Sequence, residues 1–177
     1  MKKTIHSITI ELIKGDIASQ SDMDAVVNAA NANLQTGGGV AGALHEKAGP
    51  KLEEACRSLA PIKPGEAVIT EGFNLPNDYV IHVLGPVYGI NKPEDLLLRK
   101  SYDNALNVAD EHKIRRIAFP ALSTGAFQYP LKAAADVALK AITDKLCSLS
   151  EVKHIRFVLY DQKSLDIHEE ALRRITQ

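Results

Sequence analysis

Three consecutive glycines are the most chemically suggestive feature of this sequence of 177 residues. Gly37, Gly38 and Gly39 stand between a short apolar run and a helical pattern that starts at Val40. Glycine lets the backbone approach a ligand closely, and the first N–H groups of a helix are unpaired at the positive end of its dipole. The pattern predicts an anion-binding loop for phosphate groups. The alternative is an ordinary flexible turn between a strand and a helix.

Other polar residues fall where further apolar runs end. Asparagines at 28, 31 and 33 precede the glycines, and their amides can bind ribose hydroxyls or hold the loop by Asx turns. Asp16 follows the first apolar run, and residues 123–127 (Ser-Thr-Gly-Ala-Phe) follow a later one. Together with the glycines, these positions predict a pocket for a ligand with phosphates, ribose hydroxyls and a base.

Several familiar sites are disfavoured. Gly37, Gly39 and Gly42 match the dinucleotide fingerprint in form, but they lie too far from the preceding run and no acidic residue ends a second strand at the required spacing. This disfavours a nucleotide-dependent oxidoreductase. No Gly-Lys-Ser/Thr follows, which excludes a P-loop, and Ser123 lacks the G-x-S-x-G context of a serine nucleophile.

The histidines and cysteines do not predict a metal site. His45-Glu46 lacks the second His of H-E-x-x-H, and no Cys-His cluster is present. We expect His45 to be a helix-surface residue, His82 to be a hydrogen-bonded strand residue, and Cys56 to be a small core residue.

Strand-like runs alternate with helical patterns along the chain, which predicts an α/β fold with a mixed, mostly parallel six-stranded sheet. Ligands of such sheets bind outside the carboxyl ends of the strands. The two runs within 67–84 could form an antiparallel pair. Predicted strands cover 8–12, 25–27, 67–70, 79–84, 117–122 and 155–160, and predicted helices cover 40–59 (broken at Gly49-Pro50), 94–112, 131–149 and 164–175.

Composition narrows the setting. Lys and Arg number 21 against 22 Asp and Glu, a net charge of -1, which argues against nucleic-acid binding through a globally basic surface. No apolar stretch approaches the roughly 20 residues of a membrane span. Two distant cysteines outside any C-x-x-C motif favour a reducing compartment. We expect a cytoplasmic, monomeric protein with one domain over 1–177.

Five blocks of sequence resemble the macrodomain family. They are GDI at 15–17, VNAAN at 27–31, GGGVAGALH at 37–45, YVIH at 79–82 with GP at 85–86, and AFPALSTG at 118–125. The resemblance runs from about residue 8 to 175 and implies a three-layer α/β/α sandwich with an ADP-ribose pocket.

The resemblance also implies roles for individual residues. Asp16 would accept a hydrogen bond from the adenine amino group beside Ile17, and Tyr160 would pack on the adenine unless it is a core tyrosine. Asn31 would bind the distal ribose, supported by Asn28 and Ala29. The diphosphate would lie between two loops, one formed by Gly37, Gly38, Gly39, Val40 and Ala41 and the other by Ser123, Thr124, Gly125, Ala126 and Phe127, with Phe127 covering the sugar.

The resemblance leaves two functions open. Macrodomain hydrolases of the MacroD type carry Asp where this chain has Ala41, which puts a general base in doubt. Viral macrodomains with the same Gly-Gly-Gly-Val-Ala run are hydrolases, however, and their resemblance implies catalytic roles for Asn31 and Gly38. The first function is therefore hydrolysis of mono-ADP-ribose esters on acidic side chains, or of O-acetyl-ADP-ribose. The second is a reader that binds ADP-ribose on modified proteins. Neither needs a cofactor. Gln128 departs from the Gly that is common in the family.

Overall fold

A mixed sheet of seven strands forms the centre of the fold in a computed structural model that describes residues 1–177. The strands lie in the order β1-β2-β7-β6-β3-β5-β4. The five inner strands are parallel, whereas β1 pairs with β2 and β4 with β5 in antiparallel register, as the sequence allowed for 67–84. The strands are β1 (Lys2–Ile5), β2 (Ile8–Lys14), β3 (Ala25–Ala29), β4 (Ala67–Glu71), β5 (Tyr79–Val83), β6 (Arg116–Phe119) and β7 (His154–Leu159).

The extra strand is β1, so the predicted count of six was one too low. Its four residues alternate between exposed and half-buried, and none is fully buried. No apolar run therefore marks it in the sequence. The turn into β2 has positive φ at His6 (49°) and Ser7 (67°), the geometry of a type I′ hairpin, without the usual Asn-Gly signal.

Five helices cover the two faces of the sheet. On one face, α3, α4 and α5 pack over a cluster of 31 buried residues. On the other, α1 and α2 cover clusters of 11 and 5 buried residues. This confirms the α/β/α sandwich. The helices are α1 (Gly39–Ala48), α2 (Pro50–Cys56), α3 (Glu94–Glu111), α4 (Leu131–Lys145) and α5 (Gln162–Ile175), and a short 3₁₀ turn (Leu146–Ser148) follows α4.

The predicted helix over 40–59 divides where the sequence indicated. Gly49 has φ of 85°, a conformation that favours glycine, and Pro50 occupies the first position of α2. The break lets α1 and α2 follow different directions over the same face.

A buried ion-pair network fixes the segment after β2. The Arg156 guanidinium donates to Glu11 Oε2 at 2.6 Å and to both carboxylate oxygens of Asp22 at 2.7 Å. Burial raises the pKa of Glu11, but the hydrogen bonds from Arg156 and His154 hold it below its ordinary value. The same guanidinium lowers the pKa of Asp22 to about 2. Glu11, Asp22 and Arg156 are therefore all charged at neutral pH.

We expect Arg156→Met to lower the free energy of unfolding by about 3 kcal/mol, because Glu11, only 6% exposed, would lose its closest cation. Urea denaturation at pH 7 measures the effect. The control is Arg173→Met, which removes a pair between Arg173 and Glu169 on the surface of α5 and should cost less than about 1 kcal/mol. Equal effects of the two substitutions would contradict a special role for the buried network.

Candidate functional site

The carboxyl ends of the five parallel strands meet at one edge of the sheet and carry the segments that the sequence singled out. Asp16 follows β2 and Tyr160 follows β7. Residues 123–127 lie beyond β6, and the Asn31 and glycine segment lies between β3 and α1. The fold thus brings the predicted site residues to one edge, although 144 residues separate Asp16 from Tyr160 in the chain.

The glycine loop presents free backbone donors. None of the N–H groups of residues 37–41 donates to another group of the protein. Gly38 is the N-cap of α1, and an added Cβ at Gly38 or Gly39 would meet nothing within 4 Å. Gly39 has φ of 55°, which favours glycine. The loop combines open space, unpaired donors and the positive end of a helix dipole, which is an arrangement suited to an anion.

Gly42 has a structural role that sequence reasoning did not assign. A Cβ at this position would lie 2.4 Å from the carbonyl oxygen of Gly37, so only glycine permits the observed path. Its N–H donates to the Gly38 carbonyl at 3.2 Å. In the sequence, Gly42 is the third glycine of the G-x-G-x-x-G pattern, and this was the signal of its structural role. The glycine allows the loop to pack closely on its own helix.

The loop over residues 123–127 also presents free backbone donors. None of its N–H groups donates within the protein, whereas the Ser123 carbonyl accepts from Tyr129 N at 2.8 Å and the Thr124 hydroxyl donates to the Ala121 carbonyl at 2.8 Å. Ser123 has φ of 66°, and its Oγ is buried without a partner. The loop is therefore held by its carbonyl and hydroxyl groups while its amides remain free.

Packing contacts join residues 123–127 to the segments that follow β5 and β3. A Cβ on Gly85, after β5, would lie 2.2 Å from Ser123 Oγ, so Ser123 lies directly against the end of β5. Phe127 packs on a small apolar cluster that includes Ala30 and Leu34 from the segment after β3. The residues after β3, β5 and β6 thus form one continuous surface, and Gly85 is a second glycine whose role sequence reasoning missed.

Asn31 lies beside the glycine loop, and its amide is already in use. Its Nδ2 donates to the Gln35 carbonyl at 2.8 Å, and its Oδ1 accepts from the Gln35 N–H at 3.0 Å. Asn31 therefore holds the loop, as one of the two alternatives predicted, but through Gln35 four residues on and not through an Asx turn. One Nδ2 hydrogen remains for a ligand, and a Cβ on Gly37 would lie 3.5 Å from that nitrogen. Asn31 and the glycines form a single unit.

Asn28 is buried and faces the neighbouring strand. Its Nδ2 is 3.1 Å from His82 Nδ1, and His82 Nε2 is 2.9 Å from Thr70 Oγ1, which itself donates to a backbone carbonyl. An amide nitrogen can only donate, so His82 accepts at Nδ1 and carries its proton on Nε2. The prediction of a hydrogen-bonded strand histidine is confirmed. Cys56, 1% exposed, is the core residue that was expected.

The expectation for His45 was wrong. It is 5% exposed and lies on the buried face of α1 with Ala41, Leu44 and Ala48. Its ring is 6.4 Å from that of His82, and burial lowers its pKa. The spacing of Ala41, His45 and Ala48 already places all three on one helix face, so the polarity of the imidazole misled the prediction.

We expect stability to fall with acidification because burial lowers the pKa of His82 from 6.5 to about 3. The folded state prefers the neutral ring, so His82 contributes fully above pH 6.5 and progressively less as the pH falls toward 3. Burial lowers the pKa of His168 in the same direction. Urea denaturation from pH 7 to 4 should show a flatter profile for His82→Gln than for wild type. The exposed His112 provides the control, and a similar flattening by His112→Gln would contradict this assignment.

The adenine end of the predicted pocket is exposed. Asp16 Oδ1 accepts from Ala18 N at 2.9 Å, whereas Oδ2 has only a 3.4 Å contact with Ser19 Oγ. Ile17 is buried beneath it. Tyr160 is 93% exposed, so it is not a core tyrosine. The backbone N–H groups of Asp16 and Ile17 do not donate within the protein either.

Two departures from the family pattern have clear structural settings. Gln128 has φ of 60°, which explains why glycine suits this position, and its side chain is exposed. Ala41 is 5% exposed and provides no carboxylate near the amino terminus of α1.

No group of three or more His, Cys, Asp or Glu side chains could hold a metal ion. None of the helices has the length and apolar character to cross a membrane.

A profile of the Macro domain matches residues 27–138. A macro domain-containing protein of Chlorobaculum tepidum is 45% identical over 167 residues, which are 94% of this chain and 96% of the relative. The chain belongs to the Macro domain family. A macrodomain relative from Citrobacter rodentium, named O-acetyl-ADP-ribose deacetylase, is 42% identical over 168 residues and is matched over 92% of this chain and 94% of its own length.

Solved macrodomain structures have the same fold. The Oceanobacillus iheyensis macrodomain with ADP superimposes with a TM-score of 0.95 at 36% identity, covering 99% of this chain and 96% of that one. The Trypanosoma brucei macrodomain in complex with ADP-ribose gives a TM-score of 0.84 at 34% identity, covering 92% and 68%. The recognition of the family and the predicted architecture are both confirmed.

Proposed function

We propose that this macrodomain binds ADP-ribose across the strand-end loops and hydrolyses mono-ADP-ribose esters on acidic side chains of proteins, or the related ester O-acetyl-ADP-ribose. The observation that carries the proposal is the pair of strand-end loops, residues 37–41 and 123–127, in which no N–H donates within the protein. Two such rows suit the two phosphates of a diphosphate. The ADP-bound and ADP-ribose-bound relatives support this ligand, and the relative named a deacetylase supports the chemistry.

We assign each part of the ligand to one group of residues at the carboxyl ends of the strands. The adenine lies between Asp16, whose Oδ2 is free to accept from the exocyclic amine, and the exposed ring of Tyr160. The distal ribose lies at Asn31, where one amide hydrogen remains unused. The remaining contacts belong to Ile17 at the adenine, to Gly37, Gly38, Gly39, Val40, Ala41, Ser123, Thr124, Gly125 and Ala126 at the diphosphate, and to Ala29 and Phe127 at the ribose. Asn28 does not contact the ligand, because its side chain is buried against His82, and it supports the loop from within.

In the reaction on a protein ester, water attacks C1'' of the distal ribose. The new bond joins the water oxygen to C1'', the C1''–O bond to the acyl group breaks, and the acidic side chain leaves as a carboxylate. One proton of the water passes to a ligand phosphate oxygen, because Ala41 provides no base. Asn31 orients the ribose, and the free N–H groups hold the diphosphate in position to accept this proton.

A reader that binds ADP-ribose without turnover is the second candidate, and Ala41 is the residue that favours it. The two candidates bind the same ligand and differ only in catalysis. The reduced state of both cysteines is compatible with the cytoplasm for either one. We favour the hydrolase, because the loops offer donors to a transition state as well as to a bound ligand.

The test is release of ADP-ribose from a protein mono-ADP-ribosylated on glutamate, with deacetylation of O-acetyl-ADP-ribose as a second arm. We expect release by wild type in at least one arm. Binding of ADP-ribose by calorimetry with no turnover in either arm would leave the reader as the function. No binding would overturn the proposal altogether.

Ala41→Asp tests whether a missing base limits the rate. If proton removal from water is limiting, we expect the rate to rise by roughly a hundredfold with Asp at position 41, the contribution typical of a general base. Ala41→Asn is the matched control, since it adds the same bulk without a basic carboxylate. An unchanged or lower rate with Asp would indicate that the ligand phosphate already accepts the proton from water.

A further inference from the structure

A layer of polar side chains lies inside the protein beneath α1 and α2. It consists of Asn28 on β3, His82 on β5, Thr70 on β4, His45 on α1 and Cys56 on α2, and is hereafter the polar layer. Apolar clusters flank it, one containing Val26 and Leu44 and the other containing Leu34 and Leu84. All five side chains of the polar layer are at least nine-tenths buried.

Hydrogen bonding within the polar layer is incomplete. His82 is satisfied at both ring nitrogens, by Asn28 Nδ2 and Thr70 Oγ1. By contrast, Asn28 Oδ1 and both ring nitrogens of His45 are buried without a partner. Such atoms destabilise a fold by roughly 1–3 kcal/mol each unless something satisfies them. The amide oxygen can only accept, and a neutral imidazole has one donor and one acceptor, so the two residues have complementary needs.

We propose that one internal water molecule bridges His45 and Asn28, and that His45 is thereby a positioning residue for the anion-binding loop. A buried water typically makes about three hydrogen bonds to polar groups that lack other partners. Asn28 Oδ1 and one ring nitrogen of His45 supply two partners for such a molecule, because the two nitrogens of an imidazole point apart and a single water can reach only one of them. His82 lies against both residues, with its ring 6.4 Å from that of His45.

The bridge matters because the other directional contact on the buried face of α1 lies at its carboxyl end, where the Asn74 N–H donates to the Ala48 carbonyl at 3.2 Å, so none holds the half of the helix nearer the glycine loop. Ala41, Leu44 and Ala48 pack through apolar groups, which resist separation but do not define the position of the helix along the sheet. A hydrogen-bonded link from His45 to Asn28 would define it. Since Asn28 lies on the strand that leads to Asn31, and α1 begins at the glycine loop, the link joins the segments proposed to hold the distal ribose and the diphosphate.

Nuclear magnetic resonance tests the bridge without any ligand. In uniformly ¹⁵N-labelled protein at pH 7, we expect His45 to be neutral, with one ring N–H that is protected from exchange and shows cross-relaxation to a long-lived water. A ring N–H of His45 that exchanges with bulk solvent, or that shows no contact with water, would overturn the bridge.

Binding measurements test the positioning role, which rests on the proposed function. We expect His45→Leu to weaken ADP-ribose binding about tenfold, equivalent to one lost hydrogen bond, and His45→Gln, which keeps a donor and an acceptor, to stay within about threefold of wild type. The control is His168→Leu, which removes another buried histidine, on α5, on the opposite face of the sheet.

The outcomes separate the two proposals. Wild-type affinity in a folded His45→Leu variant would overturn the positioning role and leave the function intact. Equal losses in His45→Leu and His168→Leu would also overturn it, because they would reflect general destabilisation. If His45→Leu does not fold, the result for His45→Gln and the resonance of the wild-type ring still decide. Failure of wild type to bind ADP-ribose would remove the proposed function, whereas the resonance experiment would still report on the bridge.

Discussion

Gly38→Glu is expected to abolish ADP-ribose binding, by a hundredfold or more, in a protein that remains folded. A Cβ at this position meets nothing within 4 Å, and φ of -86° suits any residue, so the substitution should be tolerated. The new carboxylate would stand among the N–H groups proposed to hold the diphosphate. Placing like charges together in a binding site costs several kcal/mol, about a hundredfold or more in affinity. Calorimetry with ADP-ribose and thermal denaturation measure the two effects.

Gly38→Gln is the matched control, because it has the same shape without the charge. We expect it to retain far more affinity than Gly38→Glu at low ionic strength. Wild-type affinity for Gly38→Glu would show that the diphosphate does not bind at the amino terminus of α1. An equal loss in both variants would show that bulk, and not charge, closes the site.

The second large effect is expected for Asn31→Ala, which should lower the hydrolysis rate by at least about a hundredfold, while ADP-ribose affinity falls by a smaller factor. The substitution removes two hydrogen bonds to Gln35 and the amide hydrogen assigned to the distal ribose. Misplacement of the reacting groups by about 1 Å can cost a hundredfold in rate. Single-turnover release of ADP-ribose from a modified protein measures the rate apart from binding.

Asn33→Ala provides a control in the same loop. Asn33 is exposed and makes no side-chain hydrogen bond, so its loss should leave both rate and affinity close to wild type. Comparable rate losses in Asn31→Ala and Asn33→Ala would indicate a general effect on the loop. Full activity of Asn31→Ala would remove this residue from the proposed reaction.

The order of layers and the edge of the sheet that carries the site followed from the sequence, because apolar runs and glycines report directly on strands and turns. β1 could not be predicted from the sequence, since an edge strand that buries no residue has no apolar pattern. The burial of His45 was not predicted either. Its polar side chain was taken as evidence of exposure, although its spacing from Ala41 indicated burial.

Other features depend on contacts between segments that are distant in sequence. A side chain at Gly85 would require the Ser123 hydroxyl, 38 residues later, to move, because it packs directly against that position. The path of the chain around Asn31 returns the Gln35 backbone to its amide, which no spacing rule specifies. The glycine triplet left an ordinary turn open, and it predicted a ligand pocket only together with the asparagines, Asp16 and residues 123–127. The supports of each loop required the structure.

The free donors of both loops belong to the backbone and not to side chains. A peptide N–H is present in every amino acid except proline, so mutation at these positions can seldom delete the recognition chemistry itself. Substitutions act through bulk, charge or a forced change of backbone angle. Most substitutions in these loops therefore keep the backbone donors of the site but can change its geometry. Proline is the only replacement that removes a donor.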